Sequence, residues 1–408
     1  MAGGQYLLKK AGKAASKAAE AAGVVEKAAE GGQLTSKAIK ESKGAQRIRQ
    51  ELERFDAAMA RINEAFAPYE GATPNVPQRI FPRVDVSKQA IDPVFLRAIE
   101  DPIVKEKMIE AMQRGEPLAG WYNMEPTRLM WGDVLGNQAE GTRRFNRMQD
   151  FMGPTSMQSP VSLNIGNATR WGYYDTTGQL PPETLDATGN KFATPPPAGY
   201  GSKGQIGQFK ASMPILESGQ PQDPLEYLKT SRYGGALQGN LANLPIDAHA
   251  TRGPLMLLGD PEGLATSVKL EKGAKAFNAQ QRFAEQGGEL SDLPVTWWKD
   301  VPKNAASYYA MEDYYKMLAA ELGLQPAEGQ AASWVGNAGL TGVKSDPNMT
   351  AQQLFNQRVA KIAIDRNMDP RDVLTMLMKG GGYLSLGGVG LGAASEFMPE
   401  RFSEEGQY

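Results

Sequence analysis

Two side chains able to do nucleophilic and acid–base work precede the chain's only histidine. Lys229 lies in Leu228-Lys229-Thr230, and eighteen positions later Asp247 opens Asp247-Ala248-His249-Ala250-Thr251-Arg252. A Lys amine kept deprotonated by desolvation or by a cationic neighbour can attack the anomeric carbon of a nucleotide sugar, expel the base and form an imine. A carboxylate beside it can stabilise the cationic sugar or relay the proton, as in glycoside cleavage generally. The base must first leave its stack, at roughly a few kcal/mol, and needs a pocket with wedge residues such as Met157 or Gln158.

Each of these residues also has an ordinary structural reading. Lys229 could be a surface lysine, and Asp247 could be the N-cap of a helix beginning near Ala248, a role compatible with chemistry. His249 is expected as a packed, hydrogen-bonded imidazole rather than a base. Thr155-Ser156 could cap the next helix. Trp297-Trp298 with Tyr308, Tyr309, Tyr314 and Tyr315 could stack bases, but at these spacings core packing is expected. Glu312-Asp313 and Asp365, Asp369 and Asp372 are the rival carboxylates for a metal nuclease. No paired spacing stands out among them, so no metal and no cofactor is expected.

Composition narrows the chemistry further. The 408 residues carry 44 Lys+Arg against 46 Asp+Glu, a net charge of −2, with 41% apolar residues and no cysteine. Zero cysteines exclude thiol nucleophiles, disulfide partners and thiolate metal sites, and leave the redox compartment unreadable. A single histidine excludes multi-histidine metal sites. What remains is carboxylate, lysine, hydroxyl and phenol chemistry. Charge is uneven: Met1 to Arg61 holds 12 Lys/Arg and 7 Asp/Glu, so a basic arm precedes an acidic body. Such an arm can touch nucleic acid, an anionic membrane surface or an acidic partner.

The elements that must position these groups read as helices. Ala, Lys and Glu dominate the first sixty residues, and Ile48, Leu52, Phe55, Met59 and Ile62 form an amphipathic stripe that should pack on something. The opening lacks the apolar core of a signal peptide. We expect a helical arm over 1–65, a Pro-rich linker with short helices over 66–115, a helical domain over 116–378 with a Pro/Gly-rich loop over 175–222, and a Gly-rich tail over 379–408. Within the domain, two helical stretches between Trp121 and Trp171 flank a polar turn at 153–160. Gln238 to Leu258 and Ala305 to Leu322 read as helical. Residues 350 to 378 read as two more helices, the first opened by a Thr350/Gln353 capping box. No alternating strand series appears, so the fold class is mostly α. The uncharged run 380–395 is too short to span a bilayer, although Gly388 and Gly392 give it a helix-packing spacing and transient membrane contact is one reading. Its Gly388-Val389-Gly390 stretch lacks the flanking strand, helix and acidic residue of a nucleotide site.

The Lys229 and Asp247 segments resemble the helix–hairpin–helix DNA glycosylases of the endonuclease III superfamily, in which a Lys-Thr pair precedes a Val/Ile-Asp-x-His segment by the same spacing. Upstream and in the expected order, Thr155-Ser156-Met157-Gln158-Ser159-Pro160-Val161-Ser162-Leu163-Asn164 is similar to the turn and helix that line the base pocket in that superfamily. The chain is closer still to a phage and prophage domain family sharing Trp121-Tyr122, Thr155 to Asn164, Asn240 to Arg252 and Ser333-Trp334-Val335. Over residues 119 to 378 the resemblance implies a compact, glycosylase-like helical core. In it Lys229 and Asp247 are catalytic, Thr155, Ser156, Gln158, Asn164 and Arg252 contact nucleic acid, and His249 is structural.

Domains of that kind occur in virion-associated or injected proteins, so the implied partners are DNA and other virion proteins, and the implied location is the virion and then the host cytoplasm. One segment departs from the pattern. The hairpin Leu-Pro-Gly-x-Gly is replaced by Pro224-Leu225-Glu226-Tyr227-Leu228, without glycine and with a carboxylate that repels DNA. That departure favours the other expectation, a non-enzymatic internal virion protein using the same fold as a scaffold.

Overall fold

The computed structural model describes residues 36–156, 161–178, 203–258, 302, 304–341 and 348–379. The basic stretch 1–35, Met157 and Gln158, Trp297-Trp298 and the Gly-rich run 380–395 lie outside the described residues. Those described form helices joined by turns and one extended segment, with no strand among them. The chain is mostly α, as its sequence pattern implies.

Fourteen α-helices follow in chain order among the described residues: α1 (Ser36–Phe66), α2 (Pro93–Glu100), α3 (Pro102–Gly115), α4 (Glu125–Leu135), α5 (Gln138–Thr155), α6 (Val161–Thr177), α7 (Lys203–Ser218), α8 (Leu228–Leu237), α9 (Ala248–Leu258), α10 (Ala305–Glu321), α11 (Pro326–Gly336), α12 (Ala338–Thr341), α13 (Ala351–Arg366) and α14 (Pro370–Lys379). Many begin where the local chemistry asks. Asp92 and Asp101 cap α2 and α3, each followed by proline in the first turn, where a missing N–H costs nothing. Asn304 caps α10, and Thr350 with Gln353 forms the expected reciprocal box at α13.

Two helical expectations are corrected. Residues 238 to 247, read as the first half of a helix, are irregular, and only Ala248–Leu258 is helical. Gly239 takes φ 92°, a left-handed conformation that stops α8, and the segment's amides are engaged elsewhere. The region read as a Pro/Gly-rich loop over 175–222 contains α7, sixteen residues long, with Pro214 inside it. The apolar residues of α7, among them the buried Phe209 and Ile215, outweigh the local cost of that proline.

One continuous core runs from Ala58 on α1 to Met378 on α14. The C-terminal half of α1 belongs to it. Ala58, Ile62 and Phe66 are buried against α13 and α14, and Arg54, Arg61 and Arg371 tie the helices together through Ile364 O, Asp369 and Glu64. The buried Val94, Phe95 and Met108 place the short helices after Pro93 in the same core. Packing is tightest between α3 and α11, where a Cβ on Gly336 would lie 1.8 Å from the Ala111 carbonyl oxygen.

Between α1 and α2 an extended strap crosses the body, held by side-chain amides. Asn240 exchanges two hydrogen bonds with the Arg79 backbone (3.0 and 2.8 Å), Asn243 accepts from Phe81 N (2.8 Å) and donates to Arg79 O, and Gln78 donates to Gly239 O. These bonds replace the partners a second strand would give the strap's backbone. They also account for the irregular 238–247 segment, which must stay unwound to make them.

Candidate functional site

Lys229 is the second residue of α8, and α8 is seated on α5 by two glycines. A Cβ on Gly153 would meet Thr230 O at 2.3 Å, and one on Gly234 would meet Gln149 O at 2.8 Å, so only glycine lets the two helices approach this closely. The start of α8 is then fixed by Arg232, one turn beyond the lysine. Its Nη1 donates to Leu228 O (3.0 Å) and Pro224 O (3.3 Å), and its Nε pairs with Glu312 at 3.3 Å; neither side chain is exposed. Glu312 is shared with Arg83 from the strap and Lys316 from its own helix. The guanidinium of Arg232 also lies 5.3 Å from the Tyr308 ring centre. A fully buried arginine is tolerable only with such a set of partners.

Asp247 caps α9. Its Oδ1 accepts from Ala250 N at 2.8 Å, and its carbonyl accepts from Thr251 N at 3.0 Å. Two tyrosines seven residues apart on one face of α10 pin the turn from either side. Tyr308 Oη accepts from Ile246 N at 3.0 Å, and Tyr315 Oη donates to Ala250 O at 2.8 Å. Tyr308 Oη also lies 3.4 Å from both Leu228 O and Leu244 O, so a single phenol touches the residue before Lys229 and the approach to Asp247. The two expected catalytic residues are thereby brought to one place, both half-buried.

His249 joins them. Burial pushes its pKa down, the Asp247 carboxylate works against that, and the positive charges of Arg252 and Lys229 add to it. The nearby Thr341 backbone favours the charged form, and Nδ1 is buried without a partner. Four phenols surround the Asp247 turn, those of Tyr122, Tyr233, Tyr308 and Tyr315. All are pushed well above the ordinary tyrosine value, first by burial and then in part by the negative charge of Asp247. They remain neutral donors at any physiological pH.

The upstream motif meets the same place through Asn164. The Thr155 hydroxyl lies 2.5 Å from Asn164 Oδ1 and 2.6 Å from Phe151 O, Asn164 Nδ2 donates to Met152 O at 3.1 Å, and the Asn164 side chain is close enough to Tyr233 to act on its phenol. Thr155 and Asn164 are buried and satisfied by each other, fixing the angle between α5 and α6. Ser156 donates to Gly153 O at 2.6 Å and closes the end of α5 rather than opening α6. Arg252 is half-buried on α9, close enough to act on His249. Gln158 falls outside the described residues.

Tyr308 and Tyr315 were read in the sequence as core, which they are, but their hold on the Asp247 turn was missed; so were Arg232 and Tyr233. The available signal was the seven-residue tyrosine spacing on one helix face. Three of the rival carboxylates have structural partners. Glu312 and Asp313 pair with arginine, and Asp369 accepts from Arg371 N at the start of α14. Among the described residues no group of three His, Asp or Glu side chains is arranged to hold a metal ion, and no helix is long and apolar enough to cross a membrane. A cavity of about 300 Å³ opens between the strap and α11, lined by Tyr122, Asn123, Leu241 and Glu328 among others; it shares the Tyr122 ring with the site but not Lys229 or Asp247.

Comparison with protein-family models, with curated proteins and with solved structures finds no match for this chain. The glycosylase resemblance rests on its motif segments alone.

Proposed function

We propose that the protein is a phage virion-associated or injected protein whose helical domain acts on or binds DNA in the manner of a DNA glycosylase, with Lys229 as nucleophile and Asp247 as the stabilising carboxylate. One observation carries this reading. The four segments named for the resemblance, remote from one another in sequence, approach the Asp247 turn: Tyr122 and Tyr233 feel its charge, Asn164 acts on Tyr233, Asp247 itself caps α9, and Ser333 lies 3.4 Å from the Tyr315 hydroxyl that pins the turn. Convergence of separately legible motifs on one part of the core is what a site requires, and it supports this reading.

In this reading Lys229 Nζ attacks C1′ of the sugar, the glycosidic bond breaks, and the base departs with a proton while Asp247 offsets the positive charge on the sugar. Among the described residues Lys229 makes no ion pair that would hold its amine away from substrate. His249, kept neutral by burial, adds no second positive charge beside it.

The deciding experiment is borohydride trapping on DNA carrying an abasic site. There the amine condenses with the C1′ aldehyde, releasing water, and hydride reduction makes the link permanent. The expected result is a covalent adduct with the wild type that is lost in Lys229→Ala. An adduct of equal yield in Lys229→Ala, or none from a wild type that still binds the DNA, removes the catalytic reading.

The second reading is a non-enzymatic internal virion protein with the same fold as scaffold. What favours it is the hairpin, which has no glycine and leaves the Glu226 carboxylate exposed just before α8. Mass spectrometry of purified particles tests packaging, which both readings require. Particle assembly undisturbed by Lys229→Ala and Asp247→Asn, with an effect on DNA removed, separates the two.

A further inference from the structure

The cavity of about 300 Å³ between the strap and α11 lies at the lower end of what small-molecule sites span, roughly 300–1,000 Å³. Pro74, Ala119, Leu241 and the Tyr122 ring give it apolar walls. The ring is held in place, because its hydroxyl donates to Gln330 Oε1 at 2.7 Å. Gly120 also lines the cavity, and a Cβ built on it would meet nothing within 4 Å, so no neighbouring side chain fills the space beside it.

Of the ten described residues around the cavity, Glu328 alone is charged. It stands in the first turn of α11, where Oε2 accepts from Gln325 N at 2.9 Å. That is the carboxylate's one hydrogen bond among the described residues, and no ion pair offsets its charge there. The lining amides are committed elsewhere. Gln78 Nε2 donates to Val76 O and Gly239 O while its Oε1 accepts from Ala242 N, and the Asn123 side chain donates to Ala72 O and accepts from Glu125 N. What the cavity offers a ligand is thus a carboxylate with lone pairs to spare, an aromatic ring and apolar walls. Such a set repels an anion. A cation gains a charge-assisted hydrogen bond at the carboxylate and attraction to the ring, and an apolar stem covers the walls.

We propose that this cavity binds a protonated primary amine carried on a short apolar stem, with the Glu328 carboxylate receiving the ammonium group. A free alkylamine and the lysine side chain of another polypeptide share that chemistry. The inference is independent of the DNA reading, since neither Lys229 nor Asp247 lines the cavity.

The test uses the whole protein and n-butylammonium, which is the lysine side chain cut beyond Cα, with n-butanol and butyrate as neutral and anionic probes on a similar stem. Ligand-observed NMR titrations at equal ionic strength read the affinities. Butylammonium binds the wild type, and butanol and butyrate bind at least about tenfold more weakly, as the loss of a charged hydrogen bond requires. Glu328→Gln weakens butylammonium by a similar factor. Its amide can still accept from Gln325 N, so α11 keeps its start and the thermal midpoint stays near that of the wild type. Gly120→Leu weakens binding as well, by filling the cavity while Glu328 stays in place. A lysine blocked at both ends that binds as well as butylammonium supports the site and assigns its occupant to a polypeptide; one that is shut out supports the site and assigns it to a free amine. No binding of butylammonium, equal affinity for the three probes, or affinity unchanged in Glu328→Gln overturns the proposal. Affinity undiminished in Gly120→Leu places the contact outside the cavity and overturns it too. If Gly120→Leu does not fold, Glu328→Gln carries the comparison alone.

Discussion

Single residues in this fold are mostly committed to one another, and their protonation shows it. Asp150 on α5 is pushed up to about 6, first by burial and in part by the Asp175 carboxylate, despite hydrogen bonds from Gln238 and Arg147. An unfolded aspartate titrates near ~3.9. Between roughly pH 4 and pH 6 the folded state therefore holds a proton that the unfolded state has released, and stability falls as pH rises through that window. A shift of about two units corresponds to something on the order of 2–3 kcal/mol. His249 has the opposite sign. Its folded pKa lies below the ordinary value, so stability is lost as pH falls through ~6.5, where the unfolded histidine takes up a proton the folded one resists. Comparing wild type with Asp150→Asn cancels the histidine. Urea titrations at pH 4.5 and pH 7.5 are expected to show the wild type losing ground to the variant at the higher pH; a difference independent of pH would mean that Asp150 titrates normally.

At the scale of elements, the site depends on how closely α8 sits on α5. Gly153→Ala places a methyl group 2.3 Å from Thr230 O, where backbone rather than a flexible side chain must move. The expected cost is about 1–3 kcal/mol in urea unfolding, together with weaker trapping at Lys229, because the helix that carries the lysine is displaced. Gly172→Ala is the control on α6. Its Cβ would first meet Met148 at 3.9 Å, so the variant should gain roughly 0.5–1 kcal/mol from helix propensity. Equal effects at the two glycines would deny that backbone approach sets the α5–α8 distance. The same contrast explains what the sequence made legible. Helices announced by caps and apolar stripes, α1, α10 and α13 among them, were readable because those signals are local. The unwound 238–247 segment was not. Its shape is imposed by Asn240 and Asn243 reaching a strap about 160 positions away, and nothing in its own composition says so. Lys229, Asp247, His249 and Asn164 were found from short motifs. Tyr308, Arg232 and Glu312, which hold those motifs in place, are ordinary residue types at unremarkable positions, and only the packing gives them their roles.

For the molecule as a whole, the balance of charge and core decides how contact with DNA should behave. The first 44 residues carry eight Lys/Arg against four Asp/Glu, whereas the described part of α1 is buried at Ala58, Ile62 and Phe66. A truncation that stops before these residues leaves their part of the core in place. Removal of residues 1–44 should leave the thermal midpoint within a few degrees of the full chain. A cut at residue 61 would take Ala58 out of the core and lower it. If the basic stretch supplies sequence-independent attraction, binding to an arbitrary duplex weakens steeply between about 50 and 200 mM salt, because each neutralised phosphate releases counterions. The truncated protein binds more weakly at low salt and with a shallower slope, and the two curves converge as salt rises. Fluorescence anisotropy across a salt series reads both quantities. Identical slopes for the full and truncated chains would place the DNA contact on the body, where the surface around Lys229 and Arg252 is the first to examine by substitution. Binding that ignores salt altogether would remove backbone phosphates as the source of affinity, and DNA as a partner recognised through this arm.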